Sequence, residues 1–264
     1  MNIFRELYDY REMMFSLVRR ELRGRYKGSV LGFFWTFISP LLQLGVYTLV
    51  FSVIMRAGIE QYYLFLFVAL VPWLFFSASL TSGASCILAA KEMVKKIYFP
   101  REVLPISFVT SALINMILSF MVVLFVLIVT DYGVNFLALL FMPLVIVIEY
   151  IVALGFVFLF SALTVYFRDL EHILGIVATA WQFLTPVMYS QAMVEEQLEE
   201  HPILLMIWNM NPTTPIINAY RQILYYKEVP DTGTLGSAIV LGIIVCMVGF
   251  FSFRKLQKGF AEEL

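Results

Sequence analysis

Glu149 sits inside an apolar run, and a carboxylate in that setting is a candidate proton- or ion-handling group, because burying charge in hydrocarbon is costly. No Lys or Arg lies deep in any apolar run to pair with it, so a protonated Glu149 bonded to a neighbouring helix is the competing reading. Asp169, Glu171 and His172 form a second cluster, of a kind that a membrane transferase could use; Arg168 beside them makes a solvated, charge-paired loop the plainer reading. His172 and His201 are the only histidines and neither has a partner at metal-ligand spacing. Cys86 and Cys246 form no CxxC and read as small apolar residues. The dipeptide Gly-Lys does not occur, so there is no GxxxxGK[ST] loop to cradle a nucleotide's phosphates. No catalytic residue and no metal site is expected on this chain.

The elements around these residues belong to a membrane. Of 264 residues, 61% are hydrophobic and 14% charged, with a net charge of −1. Soluble domains run at roughly 45–50% apolar and about 25% charged, and their surfaces must stay wettable. A soluble enzyme, a disordered chain and a nucleic-acid binder are excluded by this balance. A bilayer span needs about 20 apolar residues. Six stretches qualify: 33–55, 62–85, 103–130, 136–165, 173–190 and 234–254. Pro40, Pro72, Pro143 and Pro186 fall within them, which neighbouring helices can tolerate.

Charge asymmetry sets the orientation. Of the 18 basic residues, 15 fall in residues 1–28, 86–102, 166–172 and the C-terminal segment. Under the positive-inside rule these segments face the cytoplasm, both termini included, and the number of spans is even. The charged first 28 residues leave no apolar signal-peptide core. Ile3, Leu7, Tyr10, Met14, Leu17 and Val18 recur at helical spacing opposite Arg5, Asp9, Glu12, Ser16, Arg19 and Arg23, which predicts one amphipathic helix in the interface over 1–28. It serves as a plain anchor or as a collar against a cytoplasmic partner. Residues 191–233 begin acidic and turn apolar, and Asn209, Asn211, Pro212 and Pro215 interrupt the run. The expectation is two short helices that dip into the outer leaflet and return.

In the loop AAKEMVKKIYFPREVLP (89–105), Lys91, Glu92, Lys95 and Lys96 share helical spacing ahead of Tyr98 and Phe99. A short interfacial helix over 89–99 suits docking of a cytosolic protein, and a partnerless positive-inside loop is the bland alternative. Gly24, Gly28 and Gly32 recur every four residues at the way into the first span, as a close-packing face or a hinge. Phe33, Phe37, Leu44, Tyr47 and Phe51 form a stripe on that span, and Tyr62, Tyr63, Phe65, Phe67, Trp73, Phe75 and Phe76 crowd the second. Flat, stiff aromatic faces could let sugar C–H faces slide; lipid-facing rings are the alternative.

Three segments, together with 89–105, carry a resemblance that runs nearly end to end. They are RYKGSVLGFFWTFISPLLQL (25–44), YFRDLEHIL (166–174) followed by WQFLTPVMYS (181–190), and NPTTPIINAYRQILY (211–225). In this order they resemble the permease subunits of polysaccharide-exporting ABC transporters, which serve O-antigen, capsule and teichoic-acid export. The resemblance implies an all-α membrane protein of the inner membrane: six spans, an N-terminal interfacial helix, a coupling helix at 89–99 and outer gate helices within 194–226. It implies a second copy of the chain and two copies of a cytosolic ATPase that bind ATP and Mg, with no cofactor on this chain. The cargo is a lipid-linked polysaccharide. On this sequence, Lys91, Glu92, Lys95, Lys96, Tyr98 and Phe99 would dock the ATPase, and Trp35, Phe37, Tyr47, Phe51, Trp181 and Tyr189 would line the channel. Arg168 and Asp169 would cap the fifth span at its cytoplasmic portal, and Asn211, Pro212 and Arg221 would shape the outer gate. Export of a drug or lipid keeps the architecture and changes the cargo; an ion-coupled carrier is the alternative from another class.

Overall fold

The computed structural model describes residues 3–24, 28–54 and 58–264, apart from the side chains of Ile3, Phe4, Phe33, Ser52–Ile54 and Ala261. Arg25 and Lys27, the middle of the glycine-spaced segment, lie outside the described residues, as do Arg56 and the Phe33 ring of the aromatic stripe. The described residues form helices joined by turns and loops, without strands. In chain order the helices are α1 (Ile3–Asp9), α2 (Arg11–Gly24), α3 (Trp35–Thr48), α4 (Tyr62–Ala84), α5 (Cys86–Ala89), α6 (Lys91–Lys96), α7 (Val103–Val129) and α8 (Phe136–Leu139). They continue as α9 (Met142–Tyr166), α10 (Leu170–Leu184), α11 (Gln191–Leu198), α12 (Pro202–Asn209), α13 (Thr213–Leu224), α14 (Thr232–Leu256) and α15 (Phe260–Glu263).

Among the described residues, four stretches are long and apolar enough to cross a bilayer: Tyr62–Ala84, Val103–Val129, Phe136–Tyr166 and Thr232–Gly259. Two further apolar helices are shorter, Trp35–Phe51 and Leu170–Leu184. The helix expected over 173–190 stops at Leu184, because Thr185 turns to extended backbone ahead of Pro186. At 15 residues and 1.5 Å per residue, α10 extends only about 22 Å. The stretch expected over 33–55 is also composite: a 3₁₀ turn (Gly32–Phe34), then α3 with Pro40 inside it, then a π-helical segment (Leu49–Ile54). Pro40 has no amide hydrogen to give, which weakens the ladder mid-helix.

Helix α4 is the central post. It is apolar on every side, and such a helix is stable only when covered all round. Its neighbours oblige, and residues from Leu64 to Val71 are all buried. Helices α7, α9, α10 and α13 pack around it. On the far side of α9, α14 runs backbone to backbone. A Cβ on Gly249 would stand 1.9 Å from the Gly155 carbonyl oxygen, and one on Gly155 would stand 2.7 Å from the Cys246 backbone. Glycine is required at both, since no rotamer moves a main chain aside.

The N-terminal amphipathic segment comes as two helices meeting at Tyr10. Its apolar face is the expected one: Leu17 is buried, with Leu7, Tyr10 and Met14 packed against the same cluster. That cluster gathers Ile87, Val94, Phe99, Phe158, Val165, Phe253 and Phe260, so α2, α5, α6 and the C-terminal helix meet at one end of the bundle, the basal end. The Arg101 guanidinium reaches the Gln257 carbonyl, Gln257 Nε2 donates to Glu102 Oε1 at 3.0 Å, and Tyr166 Oη donates to the Leu256 carbonyl at 2.7 Å. The opposite, distal end holds the 130–135 loop, where Tyr132 Oη donates to the Tyr225 carbonyl (2.8 Å) and Tyr225 Oη to that of Glu60 (2.6 Å). Where two short helices were expected before the last long helix, there are three, α11, α12 and α13, broken at 199–201 and 210–212.

Replacing Gly249 by Leu should separate α9 from α14 and cost about 3 kcal/mol or more, because overpacking against backbone has no side-chain escape. Gly175→Ala, with nothing near its added Cβ and inside helix α10, should keep or slightly raise stability. Thermal melting of the two variants in detergent checks this contrast.

Candidate functional site

The deepest polar assembly lies where α10, the 185–190 segment and α13 meet. Residues Thr185–Met188 are buried yet have no helix to absorb their carbonyls. A buried carbonyl without a donor costs about 1–3 kcal/mol. Here the donors come from Arg221 and Tyr62. Arg221 gives Nη2 to the Val187 carbonyl at 2.6 Å and Nη1 to that of Tyr189 at 3.0 Å, while Tyr62 Oη donates to the Met188 carbonyl at 2.8 Å. Three consecutive carbonyls are thereby held. Arg221 is 2% exposed and its guanidinium lies 3.7 Å over the Phe65 ring, which supplies a π face as well.

Asn211 closes the other end of the segment. Its Oδ1 accepts from Trp181 Nε1 (2.9 Å), the Thr213 amide (3.0 Å) and Thr213 Oγ1 (2.7 Å). Its Nδ2 donates to the Leu184 carbonyl and to Thr185 Oγ1, both at 3.0 Å. One side chain thus caps α13 and ties it to the C-terminus of α10. Pro212, buried, follows it where a missing amide hydrogen costs nothing. The three residues expected at the outer gate therefore act on one structural unit. Glu149, 2% exposed, accepts from Tyr220 Oη at 2.7 Å. Its partner is a neutral phenol on α13 and no cation, and the 71 positions between the two hid the pair from sequence inspection.

The six aromatics expected to line a channel do not form one stripe. Trp35 Nε1 donates locally to Ser29 Oγ at 2.9 Å, and Trp35 edges a cavity of about 320 Å³ between α3, α4 and α7 together with Thr36, Gln43, Asn115 and Ser119. Phe37 is half-buried on α3. Tyr47 Oη accepts from Gln43 (3.1 Å) and from Gln182 (3.3 Å), joining α3 to α10. Phe51 stacks on Tyr62 with centroids 6.1 Å apart. Trp181 wedges edge-on between Phe76 (5.4 Å) and Phe156 (5.2 Å), and Tyr189 lies 6.1 Å from Trp208. Helix α10 presents an open apolar face. It buries only Leu174 and Ala178, leaving Ile173, Ile176, Phe183 and Leu184 bare, Ile176 at 73%.

At the basal end α6 stops at Lys96 and the chain turns extended at Ile97, so the helix expected over 89–99 covers half that length. Tyr98 projects, 85% exposed, but Phe99 is 5% exposed and packs into the basal cluster. This corrects the pairing of Tyr98 and Phe99 as a docking tip: extended backbone points alternate side chains to opposite faces. Lys96 is paired with Glu92 at 3.0 Å, and Lys91 and Lys95 are exposed. Lys95, Lys96, Arg101, Arg254 and Lys258 border a groove of about 640 Å³ with Glu6 and Glu102. Arg168 and Asp169 are exposed at the start of α10, as expected, but Asp169 in the N-cap position makes no side-chain capping bond, and neither has an ion-pair partner among the described residues. The pairing of Arg168 with the neighbouring acids is corrected accordingly. No group of three His, Cys, Asp or Glu side chains that could hold a metal exists among the described residues.

Asp231 caps α14: its Oδ1 accepts from the Gly233 (2.8 Å) and Thr234 (2.9 Å) amides, and its Oδ2 from Thr234 Oγ1 and Gln222 Nε2. The Thr234 hydroxyl, the Gln222 amide and the capped amides hold its carboxyl down at about 2, from 3.8. A depressed folded-state value means that the cap stabilises fully above the ordinary carboxylate range and is lost as pH falls from about 4 through 2. Protection factors of the Gly233 and Thr234 amides, taken relative to free-peptide exchange at the same pH, should fall in that window in the wild type and at neutral pH in Asp231→Ala. Arg221→Met and Asn211→Ala should each lower stability by about 2–3 kcal/mol by orphaning buried acceptors and donors, read as a lower melting temperature in detergent with faster proteolysis near 185–190.

Residues 12–225 match the family described as ABC-2 type transporter. The chain is 35% identical over 262 residues, 99% of both chains, to the O-antigen export system permease protein RfbA of Myxococcus xanthus. It is 29% identical over 253 residues, covering 96% of this chain and 95% of the relative, to the protein of that name in Klebsiella pneumoniae. The chain therefore belongs to the ABC-2 type transporter family, as a membrane permease and not an enzyme.

Proposed function

We propose that this chain is the permease of an ATP-driven exporter that moves a lipid-linked, O-antigen-like polysaccharide out of the cytoplasm. The observation that carries this reading is the likeness over 99% of both chains to an O-antigen export system permease. Two copies enclose the path and two cytosolic ATPase subunits supply the work, binding ATP and Mg themselves; the lack of any phosphate loop on this chain accords with that division. The composite Trp35–Phe51 helix and α10 complete six spans with the four long stretches, tilted or continued by neighbouring segments to reach across. Both termini and the basal end face the cytoplasm of the inner membrane, in keeping with the basic residues gathered there.

The bare apolar face of α10 supports the second copy, since a helix covered on two residues alone must be covered by lipid or by a partner. The groove bordered by Lys95, Lys96, Tyr98 and Arg254 is the ATPase-docking surface, and Phe99 supports it from beneath. The aromatics at 35, 37, 47, 51, 181 and 189 line the path in the dimer, with Arg168 and Asp169 at its cytoplasmic mouth and α11–α13 at its outer end.

Co-expression with a cytosolic Walker-motif ATPase encoded in the same organism tests this. The pair should co-purify, and cells lacking the chain should lose surface glycan. Lys95→Glu combined with Tyr98→Ala should lower ATPase recovery at least about tenfold, as loss of an interface anchor does, with membrane insertion intact. Glycan export driven by a proton gradient without any ATPase would overturn the reading.

A further inference from the structure

A cavity of about 300 Å³ opens at the distal end between the start of α11, one face of α13 and the start of α14. Gln191, Glu195, Asn218, Arg221 and Tyr226 line it. That lining gathers amides, a carboxylate and a phenol at one spot. Asn218 donates to Gln191 Oε1, and Gln191 Nε2 donates to Glu195 Oε1 at 2.6 Å. The relay fixes three side chains in register and leaves the Asn218 carbonyl oxygen and the second Glu195 oxygen as acceptors. Beside them, Arg221 is 2% exposed, and its Nε is buried with no hydrogen-bond partner among the described residues. That N–H is sealed behind the wall, so Arg221 gives the cavity positive charge while the second amide hydrogens of Asn218 and Gln191 serve as its donors. Tyr226, exposed, contributes a flat ring and a hydroxyl. Gln222 and Asp231 close one wall by bonding each other and are spent on the α14 cap.

We infer that this cavity is a binding site for a neutral hexopyranose ring of the exported glycan on the outer side of the membrane. A sugar hydroxyl both donates and accepts, so its site needs donors and acceptors interleaved within reach, together with a flat apolar face for the ring's C–H groups. The cavity offers that combination at the small end of the ligand-site range of about 300–1,000 Å³. Two carboxylates against one guanidinium disfavour an anionic ligand, and the polar walls disfavour an acyl chain. The inference rests on the glycan-export reading and adds to it a place where the leaving chain is held.

Saturation-transfer NMR on the full chain in nanodiscs, with the methyl glycosides of glucose, galactose, mannose and rhamnose and with glucuronate, reads it directly. At least one neutral glycoside should receive saturation, more strongly than glucuronate. Glu195→Leu and Tyr226→Leu, both at exposed positions, should weaken its binding about tenfold each, with the melting temperature unmoved, whereas Lys95→Glu at the basal end should not. Transfer to none of the neutral glycosides, preference for glucuronate, or wild-type binding by both variants would overturn the inference. Surface glycan in cells complemented with the wild-type chain separates the cases: normal export with no sugar binding defeats the distal site alone, and no export defeats the transport reading as well.

Discussion

Three buried carbonyls, those of Val187, Met188 and Tyr189, are the constraint around which the distal half is organised. An irregular stretch of main chain inside an apolar bundle has no water to bond, so protein groups must meet every acceptor. Arg221 does this at a cost, for its guanidinium is buried with no carboxylate bonded to it. Its charge is borne by carbonyl dipoles and the Phe65 ring. An arginine suits the task because its planar fork presents parallel N–H groups in a fixed geometry. Because Arg221 belongs to α13, the segment after α10 cannot move without α13 moving too. Asn211 joins the same two elements at the opposite end of the segment, so α10, 185–190 and α13 behave as one latch.

That latch is tied to the long helices by a few specific bonds in an otherwise dispersive core. Tyr220 and Glu149 link α13 to α9, Tyr225 reaches Glu60 before α4, and Tyr132 returns from the loop after α7. The α9–α14 pair needs no such bonds, because Gly155 and Gly249 let the two backbones touch. Rigidity is thus concentrated in α4, α7, α9, α13 and α14. Helices α3 and α10 are left lightly covered, and α3 is flanked by a 3₁₀ turn and a π-helical segment, departures from α-geometry that accompany functional hinges.

The elements that could be read from the sequence are those whose information is local. The long apolar runs at 62–85, 103–130 and 234–254 appear as helices within a few residues of those bounds, since hydrophobic length and the absence of charge are one-dimensional properties. The apolar stripe Leu7, Tyr10, Met14 and Leu17 is equally local, being set by helical period. The misread elements depend on backbone and side-chain geometry that residue type alone does not fix. Phe99 and Tyr98 have similar composition and adjacent positions, and only the extended turn after Lys96 sends one inward and the other out. Asp169 is a capping residue type in a capping position, yet its side chain makes no cap, a matter of rotamer that spacing does not encode.

Composition and charge placement were enough to determine that this is a helical membrane protein with its basic residues segregated, because partition into hydrocarbon depends on residue type summed over about 20 positions. Motif order was enough to suggest the family. The tertiary structure decided which scarce polar groups meet. It placed Arg221 on the 185–190 carbonyls, Tyr220 on Glu149, Asn211 between two helices, and a relay of amides around a cavity, contacts that span 26 to 71 positions. Such pairings are set by how helices cross, and the apolar runs that dominate the sequence carry no record of it, since dispersion and burial reward many rotations of a helix almost equally while a hydrogen bond rewards one.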